Sequence, residues 1–90
     1  MTSYRFSKEA KQDLKNIYKQ GVVQYGEIQA DIYFEALLTR FSQISDQPYL
    51  YPAVEHIREG YRRSVYGRNS IYYRVSEGVE IMRIIGQQKI

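Results

Sequence analysis

The sequence predicts an α+β domain in which an N-terminal strand precedes an antiparallel helical hairpin packed on a small antiparallel sheet. Three observations support this. Residues 4–6 alternate like a strand, two long segments between residues 8 and 46 have apolar residues at helical spacing, and the period changes to two after Pro52. The chain has 90 residues and no linker, so we expect one domain over residues 1–90.

The first strand and the first helix follow from local patterns. Tyr4, Arg5 and Phe6 alternate, and Ser7 is a favourable N-cap with Glu9 in the first turn. The apolar stripe of this helix comprises Ala10, Leu14, Ile17, Tyr18, Gly21 and Val22. Four lysines fall on the other side, namely Lys8, Lys11, Lys15 and Lys19, and we interpret them as a solvated face.

A second helix begins after an interruption at Tyr25 and Gly26. Its predicted apolar stripe comprises Ile28, Ile32, Tyr33, Ala36, Leu37, Phe41 and Ile44. It should end before Gln47, because the residue that precedes a proline avoids the helical region. The short connection between the two helices predicts an antiparallel hairpin.

The remaining residues are predicted to form strands. A segment containing Tyr61, Ser64 and Tyr66 leads to a turn at residues 67–69, and residues 70–75 alternate with Ile71 and Tyr73 on one face. A tight turn at residues 77–78 precedes the last strand, residues 79–85. Strict alternation places Val79, Ile81, Arg83 and Ile85 on one face of it, and Glu80, Met82 and Ile84 on the other. Because both faces are largely apolar, this strand should be central or well covered.

Composition excludes several classes of protein. The chain has no cysteine and one histidine, so neither disulfides nor a thiolate metal site can form. Its glycines are isolated, and none belongs to a phosphate-binding loop. We therefore expect no metal and no cofactor. The N-terminus has no signal-like apolar region and no apolar stretch is long enough to span a membrane, so we expect a cytoplasmic protein.

The net positive charge is confined to the C-terminal part. Residues 1–54 carry 6 cations and 6 anions, whereas residues 55–90 carry 7 cations and 4 anions, which accounts for the whole net charge of +3. Most of these C-terminal cations are arginine, which suits planar contact with carboxylate or phosphate. The chain also has 10 tyrosines, and arginine and tyrosine are enriched at binding hot spots. Most of these tyrosines are expected to fill the core, but the charge pattern indicates an anionic partner.

Several motifs resemble the ParE toxins of the RelE/ParE superfamily. Residues 7–17 follow the pattern S-x-x-A-x-x-D-L-x-x-I, residues 57–62 resemble I-R-x-G-Y-R, and residues 25–33 and 71–85 resemble the entry to helix two and the closing hairpin. The match covers essentially the whole chain, although Asn69 and Gly86 stand where relatives often carry histidine. The resemblance implies a type II toxin that inhibits DNA gyrase and is neutralised by a ParD-like antitoxin. It also implies that the C-terminal tail, short here, contributes to toxicity.

The predicted partner-binding residues are Arg58, Tyr61, Arg62, Arg63, Arg74 and Arg83. Alternation along a strand should direct Arg62 away from Tyr61 and Arg63. The alternative interpretation is a solvated strand whose arginines form surface ion pairs with Glu55 and Glu59. A structural role is also open for Arg83, with its charge held by a carboxylate such as Glu80 or by backbone carbonyls at the edge of the sheet.

The alternative function is that of a RelE-like toxin, which cleaves ribosome-bound mRNA. Such a nuclease needs a base, an acid and cations around the scissile phosphate. The residues that could serve are Arg62, Tyr72, Arg74 and Arg83, with His56 nearby in sequence. Because no lysine lies between Lys19 and Lys89, and arginine is too weak an acid, we favour a non-enzymatic gyrase inhibitor. The helices lack a basic base-reading face, so no sequence-specific nucleic-acid binding is expected.

Overall fold

The computed structural model describes residues 3–86, and the predicted fold class is confirmed over them. The elements are β1 (Tyr4–Phe6), α1 (Lys8–Tyr25), α2 (Glu27–Asp46), β2 (Tyr61–Tyr66), β3 (Asn69–Val75) and β4 (Val79–Gly86). The strands form one sheet in the order β1-β4-β3-β2. The sheet is antiparallel except that β1 pairs parallel with β4. Residues 87–90, the tail to which a role in toxicity was assigned, lie outside the described residues.

The helical hairpin begins and turns where the sequence predicts. Ser7 accepts a hydrogen bond from Ala10 N at 3.0 Å, which caps α1, and Gly26 separates the two helices with φ of 89°. That positive φ favours glycine, since a Cβ atom would be strained there. Among residues 3–86, no helix is long and apolar enough to cross a membrane.

The predicted apolar stripe of α2 is wrong at Ile28 and Ile32, whereas Tyr33 packs against the core as predicted. Ile28 and Ile32 are 76% and 57% exposed, whereas Ala30, Leu37 and Phe41 are buried. The reason is the close crossing of the helices, where Ala30 packs against Gly21 of α1. Ile28 and Ile32 lie about 160° away from Ala30 around the helix, since each residue advances about 100°. They therefore project away from α1.

The core lies between the hairpin and one face of the sheet. Its largest fully buried side chains include Leu37 and Phe41 from α2 and Ile71, Tyr73 and Ile81 from the central strands. The rings of Tyr4 and Phe6 pack on Phe41 with centroids 5.9 and 5.2 Å apart. Burial of these rings attaches the short β1 to the rest of the domain.

The last strand is central, as predicted, but its two faces are not those that strict alternation gives. The pairing with β3 shifts at Tyr72 and Tyr73, which face Arg83 and Ile81, so Met82 is an extra residue on β4. Such a bulge reverses the alternation beyond it. Ile84 is consequently buried with Val79 and Ile81, whereas Arg83 and Ile85 are exposed.

The loop between α2 and β2 is attached to the core through a buried tyrosine. Tyr73 is fully buried, and its hydroxyl donates a hydrogen bond to the carbonyl oxygen of Pro48. Burial raises the pKa of Tyr73 from 10.0 to about 12. The folded state therefore favours the neutral phenol over the phenolate.

We expect the free energy of unfolding to fall as the pH rises from about 10 to about 12. A tyrosine with a raised folded pKa stabilises the fold fully below its unfolded pKa, and this contribution is lost as the pH approaches the folded value. Urea unfolding across this pH range measures the effect. Tyr73→Phe should be less stable near neutral pH but should lose part of the alkaline dependence. An unchanged pH dependence in this variant would show that Tyr73 does not contribute to it.

Candidate partner-binding site

The face of the sheet opposite the helices carries most of the predicted partner-binding residues. We call this surface the open face, and it comprises Arg5, Tyr61, Arg63, Val65, Ser70, Tyr72, Arg74, Glu80, Arg83 and Ile85. The assignment follows from alternation along each strand and from the bulge in β4. The buried residues Ile71, Tyr73 and Ile84 lie on the opposite face, toward the helices.

Strand pairing arranges the open face in rows across the sheet. Tyr72 of β3 lies opposite Arg63 of β2 on one side and Arg83 of β4 on the other. In the next row, Tyr61 of β2 lies opposite Arg74 of β3. Arg74 in turn lies opposite Glu80 of β4, which pairs with Arg5 of β1. Because directly opposite residues lie about 5 Å apart at Cβ, the first row forms a contiguous surface of arginine and tyrosine, and in the second row Glu80 separates Arg74 from Arg5.

Glu80 offsets part of the positive charge of the second row. The Arg74 guanidinium lies 2.8 Å from Glu80 Oε1, and that of Arg5 lies 3.7 Å from the same atom. Arg5 also donates to the carbonyl oxygens of Ser76 and Glu77 at 3.1 and 3.3 Å, which fixes it over the β3–β4 turn. The sequence analysis offered Glu80 as a partner for Arg83, but Glu80 pairs with Arg74 and Arg5 instead.

The partner of Arg83 is Asp13 of α1. Asp13 accepts hydrogen bonds from the Arg83 guanidinium at 2.8 and 3.2 Å and from Ile84 N at 2.9 Å. The hydrogen bonding of Arg83 to Asp13 and the negative charge of that carboxylate raise the pKa of Arg83. The arginine thus has a structural partner while about half of its side chain remains exposed at the border of the open face.

Arg58 extends the open face beyond the strand. Its guanidinium lies over the Tyr61 ring, 5.6 Å from the centroid. The ion pair with Glu55 that the alternative interpretation requires is not among those formed within residues 3–86. Glu55 instead accepts a hydrogen bond from Gly60 N at 2.7 Å. This bond closes the turn that leads into β2, where Gly60 has φ of 81°.

Arg62 is the one predicted residue that the fold does not bring to the open face. As predicted, it points away from Tyr61 and Arg63. Its guanidinium donates to the carbonyl oxygen of Tyr51 at 2.7 Å and lies 4.9 Å from the centroid of the Tyr49 ring. Arg62 therefore holds the loop between α2 and β2 against the edge of the sheet.

Arg62→Ala should lower the free energy of unfolding by about 1–2 kcal/mol, because a charged hydrogen bond and the aromatic contact are both lost. Arg63→Ala is the matched control on the neighbouring residue and should change stability by less than about 0.5 kcal/mol. Urea denaturation of both variants provides the comparison. Equal stability of the two variants would contradict a structural role for Arg62.

The charged and aromatic groups of the open face are arginines, tyrosines and the carboxylate of Glu80, with the carboxylate of Asp13 at its border. His56, the only histidine of the chain, is exposed in the loop before β2. Within residues 3–86, no group of three or more histidine, aspartate or glutamate side chains is placed to hold a metal ion. The arrangement suits binding of an acidic partner by charge-assisted hydrogen bonds and aromatic contact.

Asp13, which positions Arg83, is not among the residues that the sequence predicts for the site. Asp13 occupies the aspartate position of the S-x-x-A-x-x-D-L-x-x-I pattern in residues 7–17, and this position is the one sequence feature that could have indicated its role. Its partners are 70 and 71 residues away in the chain, so its role could not be derived from local spacing.

Comparison with known proteins gives consistent results across the chain. The profile of the ParE toxin of the type II toxin–antitoxin system parDE matches residues 4–90. Toxin ParE1 of Caulobacter vibrioides is 36% identical over 87 residues, which cover 97% of this chain and 91% of that protein. A solved chain of a chromosomal ParDE toxin–antitoxin system from P. aeruginosa superposes with a TM-score of 0.82 at 21% identity, covering 98% of both chains. This last match concerns the fold.

Proposed function

Since the chain belongs to the ParE toxin family of type II toxin–antitoxin systems, we propose that it inhibits DNA gyrase and is neutralised by a ParD-like antitoxin. Both partners would be met in the cytoplasm. An acidic segment of the antitoxin would bind the open face, where Tyr61, Arg63 and Arg74 provide the main contacts. Arg58 and Arg83 would contribute at its borders.

The composition of the open face carries this proposal. It has four arginines, Arg5, Arg63, Arg74 and Arg83, whose only carboxylate partners within residues 3–86 are Glu80 and Asp13. The excess positive charge is flanked by the tyrosines of β2 and β3. A surface of this kind favours an acidic protein segment through charge complementarity and aromatic contact.

The row of Arg63, Tyr72 and Arg83 is the observation that favours the alternative, a RelE-like mRNA endonuclease. Two guanidinium groups beside a phenol could face a phosphate and a 2′-hydroxyl. However, Arg83 is already paired with Asp13. A carboxylate there repels a scissile phosphate, and arginine does not exchange protons near neutral pH. The arrangement therefore supports a binding protein better than a nuclease.

Induction of the toxin alone in growing cells tests the proposed function. DNA synthesis should stop before protein synthesis, because gyrase inhibition blocks replication first. Co-expression of the cognate antitoxin should restore both rates. A prompt arrest of protein synthesis with continuing replication would favour the nuclease instead, and normal growth would contradict both functions.

A further inference from the structure

A groove lies at the end of the helical hairpin, away from the open face. Its walls are the second half of α1, the first half of α2, the β2–β3 turn and the end of β4, and its volume is 440 Å³. None of its lining residues belongs to the open face. The volume falls within the range of ligand sites, roughly 300–1,000 Å³, and is large enough for a bulky side chain with its neighbours.

Small residues where the helices cross leave the space for this groove. A Cβ atom on Gly21 would lie 3.4 Å from the Cβ atom of Ala30, so the two helices approach closely at this point. Beyond this floor, the rings of Tyr33 and Phe34 provide apolar walls. Tyr18, whose ring packs edge-on against Phe34, is held across the hairpin by a 2.6 Å hydrogen bond to Asp31.

Among residues 3–86, Arg68 is the only charged residue that lines the groove. Its guanidinium lies 4.7 Å from the centroid of the Tyr25 ring, which is 48% exposed. None of the ion pairs formed within residues 3–86 involves Arg68. The remaining polar lining consists of amides and tyrosine hydroxyls. A carboxylate is therefore the charged group that this rim attracts.

The turn that carries Arg68 is fixed by Tyr33. The Tyr33 hydroxyl accepts a hydrogen bond from Arg68 N at 3.2 Å and donates to Asn69 Oδ1 at 2.6 Å. Gly67 has φ of 55°, and a Cβ atom there would lie 2.8 Å from the Tyr33 ring. Only glycine allows the turn to pack this closely, so the position of Arg68 at the rim is determined by the fold.

We propose that this groove is a second docking site, which receives a large apolar side chain carried next to a carboxylate on an acidic segment of a protein partner. The apolar side chain occupies the space between Gly21, Ala30 and Tyr33, and the carboxylate binds Arg68. An aromatic or branched side chain buried in a pocket under a charged rim is the usual form of an interface anchor. The site goes beyond the proposed function, which concerns the open face.

Titration of the ¹⁵N-labelled full chain with a synthetic peptide tests the docking site. The probe is an acetylated 12-residue peptide of glutamate and alanine with one central phenylalanine. We expect shifts of the amide signals of Gly21, Ala30 and Arg68, and a dissociation constant about tenfold higher for Arg68→Gln. Lys15→Gln, which removes an exposed cation of α1, should leave the affinity unchanged. A peptide with alanine in place of phenylalanine should bind at least tenfold more weakly.

A second variant tests the volume of the groove without changing its charge. Gln29 is exposed and lines the groove, so Gln29→Trp should fill the space and abolish the shifts. Glu35→Trp, an exposed position outside the lining, is the control for a bulky surface residue. Thermal melts of both variants establish that they fold.

Four outcomes would overturn the proposal. The first is a set of shifts confined to the open face, and the second is equal binding of the alanine peptide. The third is N-acetylphenylalanine binding as tightly as the peptide, which would identify a small-molecule site. The fourth is the same pattern of shifts on raising the protein concentration alone, which would identify a second copy of this chain as the occupant.

Discussion

Asp13→Ala is expected to lower the free energy of unfolding by about 2–3 kcal/mol, because this carboxylate makes the polar connection between α1 and β4. Only 14% of the Asp13 side chain is exposed, compared with 47% for Arg83. Water therefore screens much of the ion pair, and most of the loss comes from the Ile84 amide, which loses its acceptor. Urea denaturation at neutral pH measures the change.

Asp13→Asn separates the two contributions of this side chain. The amide oxygen can still accept the hydrogen bond from Ile84 N, whereas the charge opposite Arg83 is removed. We expect a loss of about 1 kcal/mol, smaller than that of Asp13→Ala. A loss below about 0.5 kcal/mol for the alanine variant would mean that Asp13 does not hold α1 against β4.

The double variant Tyr61→Ala, Arg63→Ala is expected to weaken antitoxin binding by at least about 30-fold, or about 2 kcal/mol. Both side chains lie on the open face, and neither makes a hydrogen bond from its side chain to another residue within residues 3–86. Their loss should therefore affect the partner more than the fold. Isothermal titration calorimetry with the purified antitoxin gives the affinity.

A matched pair of exposed residues on α1 controls for nonspecific electrostatics. Lys11→Ala, Lys15→Ala removes two cations from the solvated face of the helix and should change the affinity by less than about threefold. Urea denaturation should show that the Tyr61 and Arg63 variant remains folded. If that variant binds the antitoxin as tightly as the unmodified chain does, the open face is not its binding site.

The elements could be predicted because their signals are local. The N-cap at Ser7, the helix break at Gly26 and the proline at position 48 each act on the backbone within a few residues. The same applies to the alternation along β2, which correctly separates Arg62 from Arg63. The central position of β4 also followed from its apolar residues on both faces.

The remaining features depend on long-range packing. The bulge at Met82 arises from the pairing of β4 with β3, and no residue type in the strand indicates it. The exposure of Ile28 results from the rotation of α2 about its contact with α1. Arg62 and Arg63 are adjacent arginines with different surroundings, and only the position of the loop around Tyr51 makes one of them structural.

Supercoiling of a relaxed plasmid by purified DNA gyrase, with and without the purified toxin, tests gyrase inhibition most directly. We predict that micromolar toxin prevents supercoiling, that equimolar antitoxin restores it, and that ribosome-bound mRNA stays intact under the same conditions. Unimpaired supercoiling, together with rapid codon-specific cleavage of ribosome-bound mRNA, would contradict this prediction and would identify the chain as a RelE-like nuclease.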